Sequence, residues 1–222
     1  MTKGSVSSNT LRVEANGLAH RVLEWSPRDA TEKNASMTTV VLVHGYMDAA
    51  GTWDRVAPAL AARGHRVLAP DVRGFGDGDR APRGSYYHFA DYVADLAGLV
   101  DALSPGDPVA VVGHSMGGTI ATLYSGAFPE NVIRLANLEG LGPPDNPWEV
   151  GPTRMRRWID ELRGARQRGE PAPLRREDAR RRLVTNHPGV PREVLDHRLP
   201  HLVREVTDAD ALRCGVALRS VA

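Results

Sequence analysis

The sequence predicts an α/β protein, a three-layer α/β/α sandwich built around a mostly parallel sheet. Short aliphatic runs at residues 39–43, 66–69, 108–112 and 133–138 alternate with longer stretches of helical periodicity. Alternation of this kind forces crossover connections, and crossovers make neighbouring strands parallel. Thr39-Val-Val-Leu-Val43 is apolar or β-branched throughout, as a strand buried on both faces must be.

Taken in order, residues 11–15 and 20–25 read as two strands joined by a hairpin turn at Asn16-Gly17. After the run at 39–43, Trp53, Val56, Ala57 and Leu60 recur at helical spacing, and Gly64 closes that helix. Residues 66–69 form the next strand, ended by Pro70-Asp71 and a glycine-rich loop. Phe89, Tyr92, Val93, Leu96, Leu99, Val100 and Leu103 make an amphipathic stripe, so a helix is expected there. A strand at 108–112, a helix at 116–128 and a strand at 133–138 complete the alternation.

Beyond Pro147 the pattern changes. Residues 1–146 hold 12 Lys and Arg against 16 Asp and Glu, whereas residues 147–222 hold 16 Arg, no Lys and 11 acids. The expected organisation is therefore a sheet-bearing part at 1–146 and a helical part at 147–222, whose residues 147–206 cover the carboxyl edge of the sheet rather than forming an independent domain. Within the latter, residues 153–168, 175–184 and 191–206 read as three short helices with no further strands, and 212–222 shows no convincing periodicity. Met155, Trp158, Ile159 and Leu162 form a stripe that needs an apolar partner. The arginines of 175–182 are interleaved with Glu177 and Asp178, which reads as a solvated helix face rather than a nucleic-acid patch.

Net charge is +1, which argues for neither nucleic acid nor an acidic membrane surface as partner. No apolar run reaches the roughly 20 residues of a membrane span. The first residues lack the apolar core of a secretory signal, so the reading is cytoplasmic. A single cysteine, Cys214, allows neither an internal disulfide nor a zinc-type cysteine spacing. His197 and His201 stand four apart, as metal ligands can, but Pro200 is expected to interrupt their helix and no Glu completes a zinc motif. No metal is assigned, and no motif implies a cofactor. Gly74-Phe-Gly76-Asp-Gly78 lacks the spacing of a dinucleotide loop.

The chemistry concentrates at Gly113-His114-Ser115-Met116-Gly117, between an apolar strand and a helix. Flanking glycines let the chain turn sharply, and the turn pushes the Ser115 hydroxyl out at the carboxyl end of the strand. The helix that follows aims free N–H groups at any negative charge formed there. His44-Gly45-Tyr46-Met47 occupies the equivalent turn after residues 39–43. The N–H groups of Tyr46 and Met116 are then the expected pair of donors to an oxyanion. His44 lies on the wrong turn to serve as base and is expected to be structural.

These motifs, with Asp71-Val-Arg-Gly-Phe-Gly76 and Phe128-Pro-Glu, resemble the α/β-hydrolase superfamily over residues 10–146. Residues 147–206 resemble the helical cap that such enzymes insert after their sixth strand. The resemblance implies an esterase-like serine hydrolase in which Ser115 attacks a small-molecule acyl substrate enclosed by the cap. Epoxide hydrolases and haloalkane dehalogenases of the superfamily carry Asp at the nucleophile position, unlike Ser115 here. The Asp71–Arg73 turn, placed near the mouth of the site, is structural in the family. Glu139 ends the sixth strand, where some haloalkane dehalogenases carry their acid, and is the candidate acid here. In the superfamily the usual acid and histidine follow a seventh and an eighth strand, and no such strands or histidine are recognisable in residues 147–222. His187, His197 and His201 are substitutes only in a geometry unlike the family's. The alternative expectation is a truncated or inactive relative, serving at most as a binding module. An uncovered sixth strand would further favour self-association through the sheet edge.

Overall fold

The computed structural model describes residues 6–28, 38–82, 84–142, 145–168, 174–205 and 211–214. Two compact units divide the chain, residues 1–142 and 143–222.

In the first unit, six strands pair side by side: β1 (Val6–Ala15), β2 (Leu18–Pro27), β3 (Thr39–Val43), β4 (Arg66–Pro70), β5 (Val109–His114) and β6 (Val132–Leu138). Their order across the sheet is β1-β2-β4-β3-β5-β6. β1, β2 and β4 pair antiparallel, and β4, β3, β5 and β6 run parallel, as the alternating pattern requires. The expected hairpin is present, with φ of 50° at Asn16 and 74° at Gly17. Both its strands extend further than their apolar alternation indicated.

The helices are α1 (Ala57–Ala61), α2 (Phe89–Leu103) and α3 (Met116–Ala127). The helix expected around Trp53–Leu60 is broken into a 3-10 turn at Ala50–Trp53 and the short α1. Trp53, Ala57 and Ala61 still reach one core, against Trp25, Val40, Leu42, Val67 and Ala69. On the other face Ala15, Val22, Leu68 and Leu99 pack together. Central β3 is buried at every residue, which accounts for its unbroken apolar run.

β6 is different. None of its residues is buried, and Ile133, Leu135 and Leu138 are 51%, 41% and 44% exposed. Leu123 on the adjoining α3 is 47% exposed. An unpaired strand edge flanked by apolar side chains is a template for pairing with another chain. The 222-residue chain is therefore expected to self-associate as its concentration rises. Light scattering that finds a compact monomer throughout would exclude this.

In the second unit α4 (Gly151–Arg168), α5 (Arg176–Asn186) and α6 (Arg192–Leu202) agree with the three helices read from the sequence. The strands did not stop, however. β7 (Leu174–Arg175), β8 (Val203–Glu205) and β9 (Ala211–Cys214) form a small antiparallel sheet in the order β7-β9-β8. Strands of two to four residues carry too little alternation to be read from sequence. Pro200 sits inside α6 rather than ending it. In the last turn its missing N–H forfeits a single intrahelical bond. Residues 215–222 lie outside the described residues.

α5 and α6 pack through Ala179 and Leu199. A two-pronged ion pair joins them, Arg180 Nε to Asp196 Oδ1 at 2.6 Å and Nη2 to Oδ2 at 2.5 Å. The α4 stripe is not buried: Met155 is 56% exposed, and Trp158, Ile159 and Leu162 are only partly covered.

Candidate active site

Strand order alone marks a location. The chain leaves β3 toward β4 on one side and leaves β5 toward β6 on the other. The connections after β3 and β5 therefore run to opposite sides, making the carboxyl ends of these two strands the switch point at which open α/β sheets bind ligands. The turns that meet there are His44–Met47 and His114–Met116.

Ser115 is the junction between β5 and α3, with φ 51° and ψ −119°. A non-glycine residue so far from the common regions stores roughly 1–3 kcal/mol of strain and persists only when its surroundings enforce it. Here the surroundings do so through close backbone approaches. A Cβ on Gly113 would collide with Gly117, and one on Gly117 would collide with the carbonyls of Val43 and His44. These two flanking glycines are thus required by contact, as their spacing about Ser115 predicts. The Ser115 N–H donates to Leu138 O at 2.8 Å, while Ser115 O accepts from Thr119 N at 3.1 Å and opens α3.

The turn after β3 lies against this elbow. A Cβ on Gly45 would stand 3.3 Å from Ser115 Cβ and 2.9 Å from His114 Nδ1. Tyr46 is 37% exposed, and Met47, at φ 56°, is half exposed. The ring of Tyr46 meets Phe75 edge-on at 5.8 Å between centroids.

His44 is fully buried and structural. Val72 N–H donates to its Nε2 at 3.1 Å, so Nε2 is an acceptor and Nδ1 carries the proton, which it donates to Gly45 O at 2.8 Å. With both ring nitrogens held by backbone, it has no lone pair for proton transfer.

Asp71 and Arg73 do not line the mouth of the site; both are buried. Asp71 accepts from Ala50 N at 2.7 Å, Arg21 Nε at 2.6 Å and Asp77 N at 2.9 Å. Arg73 forms a two-pronged pair with Asp95 on α2 at 2.5 Å, and this bond raises the guanidinium pKa above its ordinary value. Burial of Tyr92 beside it pushes that phenol up as well. His20, also buried, donates from Nδ1 to Asp71 O at 3.2 Å. The Asp-x-Arg turn is a buried polar clamp that ties β2, the end of β4 and α2 to the loop following β3.

Glu139, the candidate acid, directly follows β6 with φ 61° and an exposed side chain. Among the described residues, no histidine hydrogen-bonds to Ser115. Asn137 was not singled out from the sequence, although it makes several hydrogen bonds beside the elbow. A polar residue at the inner end of an apolar strand, two before Glu-Gly, was its only signal.

The chain belongs to the α/β hydrolase fold family, whose match covers residues 38–183. A serine hydrolase-like protein of Danio rerio is 34% identical over 173 residues, covering 75% of this chain and 52% of its own length. The 2-hydroxy-6-oxo-2,4-heptadienoate hydrolase of Pseudomonas putida is 42% identical over 106 residues, covering 46% of this chain and 37% of its own. Epoxide hydrolases of Siraitia grosvenorii match at 34–38% identity over 45–49% of this chain and 31–34% of theirs. The chain thus spans from about a third to about half the length of these curated relatives. Among solved structures, the thioesterase domain from the curacin biosynthetic pathway superposes with a TM-score of 0.75, covering 93% of this chain and 69% of that one. At 22% identity that likeness establishes the fold.

Proposed function

We propose that the first unit carries the nucleophile and oxyanion site of a serine hydrolase acting on ester, thioester or related acyl substrates. The backbone of Ser115 carries this reading: a strained φ of 51°, enforced by glycine contacts, at the N-terminus of a helix and at the sheet's topological switch. Ser115 Oγ attacks the acyl carbon, losing its proton to water, the N–H groups of Tyr46 and Met116 hold the oxyanion that forms, and its collapse expels the leaving group. Each donor of this kind typically supplies about 3–4 kcal/mol in the transition state. Glu139, at the end of β6, is the candidate acid for orienting a base supplied to this site. A serine at the elbow favours this chemistry over the epoxide hydrolysis named for some relatives, whose superfamily class uses Asp there.

A second reading, a catalytically inactive relative that only binds, is favoured by one observation. Within the described residues of the first unit, no side chain hydrogen-bonds to the Ser115 hydroxyl, and His44 is committed to backbone.

p-Nitrophenyl acetate separates the two readings, because its leaving group departs without an acid. The serine hydrolase reading predicts slow transfer of one acetyl group to Ser115, detected by mass spectrometry of the intact chain and its peptides. The same transfer should be absent from Ser115→Ala. Acetylation that is equal in both chains would leave only the binding reading.

A further inference from the structure

We propose that Asn137 is a positioning residue, which sets the backbone of Ser115 by clasping the turn after β6 onto the first turn of α3. The proposal rests on Ser115 being the nucleophile. Asn137 occupies the next-to-last position of β6, on the strand face toward α3. Its Nδ2 donates to Gly140 O at 2.9 Å, Thr122 Oγ1 at 2.9 Å and Gly118 O at 3.3 Å, while its Oδ1 accepts from Gly140 N at 2.6 Å. The amide orientation follows from these partners, since a flip would set oxygen against two carbonyls and nitrogen against an N–H. Although the residue is solvent-exposed, both amide hydrogens and one lone pair are turned inward.

The clasped turn is forced to be tight. A Cβ on Gly140 would collide with Gly118, and one on Gly118 would come within 2.6 Å of Asn137 Oδ1. Thr119 Oγ1 adds a long hydrogen bond to Gly140 O at 3.4 Å. To enter the turn the chain passes through Glu139 at φ 61°, a left-handed conformation that a glutamate adopts at some cost. In this arrangement Leu138 O faces Ser115 N and accepts from it at 2.8 Å. The N–H of the nucleophile is thereby committed to structure, and the next one, Met116, is left for the oxyanion. The same turn carries Glu139, the candidate acid, next to Gly140, whose Cβ position would lie 2.6 Å from Ser115 O. Among the described residues no strand pairs with the outer side of β6, and the Asn137 side chain holds this end of it in place.

The test uses the full chain with Asn137→Ala and Asn137→Asp, and Ser125→Ala, whose hydroxyl bonds Ala121 O within α3, as control. Asn137→Asp keeps the acceptor for Gly140 N–H but sets a carboxylate against two carbonyls, so both variants shift in the same direction and either suffices if the other fails to fold. Hydrogen exchange at the Ser115 and Gly140 amides should rise about tenfold relative to β3 and α2. Acetylation of Ser115 by p-nitrophenyl acetate should slow roughly a hundredfold at saturation, the effect of a misplaced nucleophile, with the half-saturating concentration unchanged. Ser125→Ala should alter neither. A folded variant with wild-type Ser115 protection and acetylation overturns the proposal, as does an equal loss in Ser125→Ala. If the wild-type chain is not acetylated at all, the hydrolase reading fails, while exchange at Ser115 still decides the role of Asn137.

Discussion

Purified as the 222-residue chain, the protein is expected to show almost no steady turnover of p-nitrophenyl acetate. The rate should lie about a million-fold below that of a comparable serine enzyme with its base in place, the cost measured when a base is removed from a well-studied protease. A serine hydroxyl is a poor nucleophile until something accepts its proton. Among the described residues nothing is bonded to Ser115 for that purpose, and His44 spends both nitrogens on Gly45 O and Val72 N. Donors at the oxyanion position should still leave an acceleration of about a thousand-fold over water. Deacylation needs the same base as acylation, so the acetyl group should persist on Ser115 rather than turn over. Release of nitrophenolate would then approach one equivalent per chain and stop. Sustained release that vanishes in Ser115→Ala would refute this and require a base within the chain. His187→Ala, His197→Ala and His201→Ala are then the variants to make, and the inactive one identifies the base.

The sheet and the elbow were legible because their causes are local. Thr39–Val43 reads as a central strand because every residue is apolar or β-branched, and Gly113 and Gly117 announce a turn where backbone must approach backbone. Legibility failed where the cause lay elsewhere in the chain. Trp53 and Ala57 have helical spacing, yet the Ala50 N–H is held by Asp71 from another strand, and the segment breaks into a 3-10 turn and a short helix. Asp71 and Arg73 look like exposed loop charges, but their partners Arg21 and Asp95 are about 50 and 22 positions away and draw them inside. Asn137 is similar: its bonds run to Gly118, Thr122 and Gly140, and no spacing rule connects them. The β7–β9 sheet escaped notice because its strands are too short for a period to show.

The largest stability effect is expected at Asp71. Its carboxylate has no exposed surface and accepts from Arg21 Nε, Ala50 N and Asp77 N. Asp71→Ala removes the buried one of two carboxylates from a guanidinium whose side chain is only 14% exposed, leaving it the half-exposed Asp77, and strands two backbone donors. Breaking one side of a buried pair costs about 3–5 kcal/mol. Total stabilities of about 5–15 kcal/mol leave little margin, so this variant should be largely unfolded or sharply shifted in urea midpoint. Asp71→Asn keeps the volume and one oxygen, but its NH2 must face one of the three donors. A loss of about 1–3 kcal/mol is expected, small enough for the chain to fold. That variant carries the functional consequence. Ala50 N–H anchors the loop that begins at His44 and contains Tyr46, so loosening it should weaken the oxyanion donor without touching Ser115. Acetylation of Ser115 in folded Asp71→Asn should therefore slow by at least about tenfold, more than a matched surface variant such as Asp107→Asn. A urea midpoint for Asp71→Ala equal to that of the wild type would show that the clamp is dispensable, and would remove the link from β4 to the oxyanion turn.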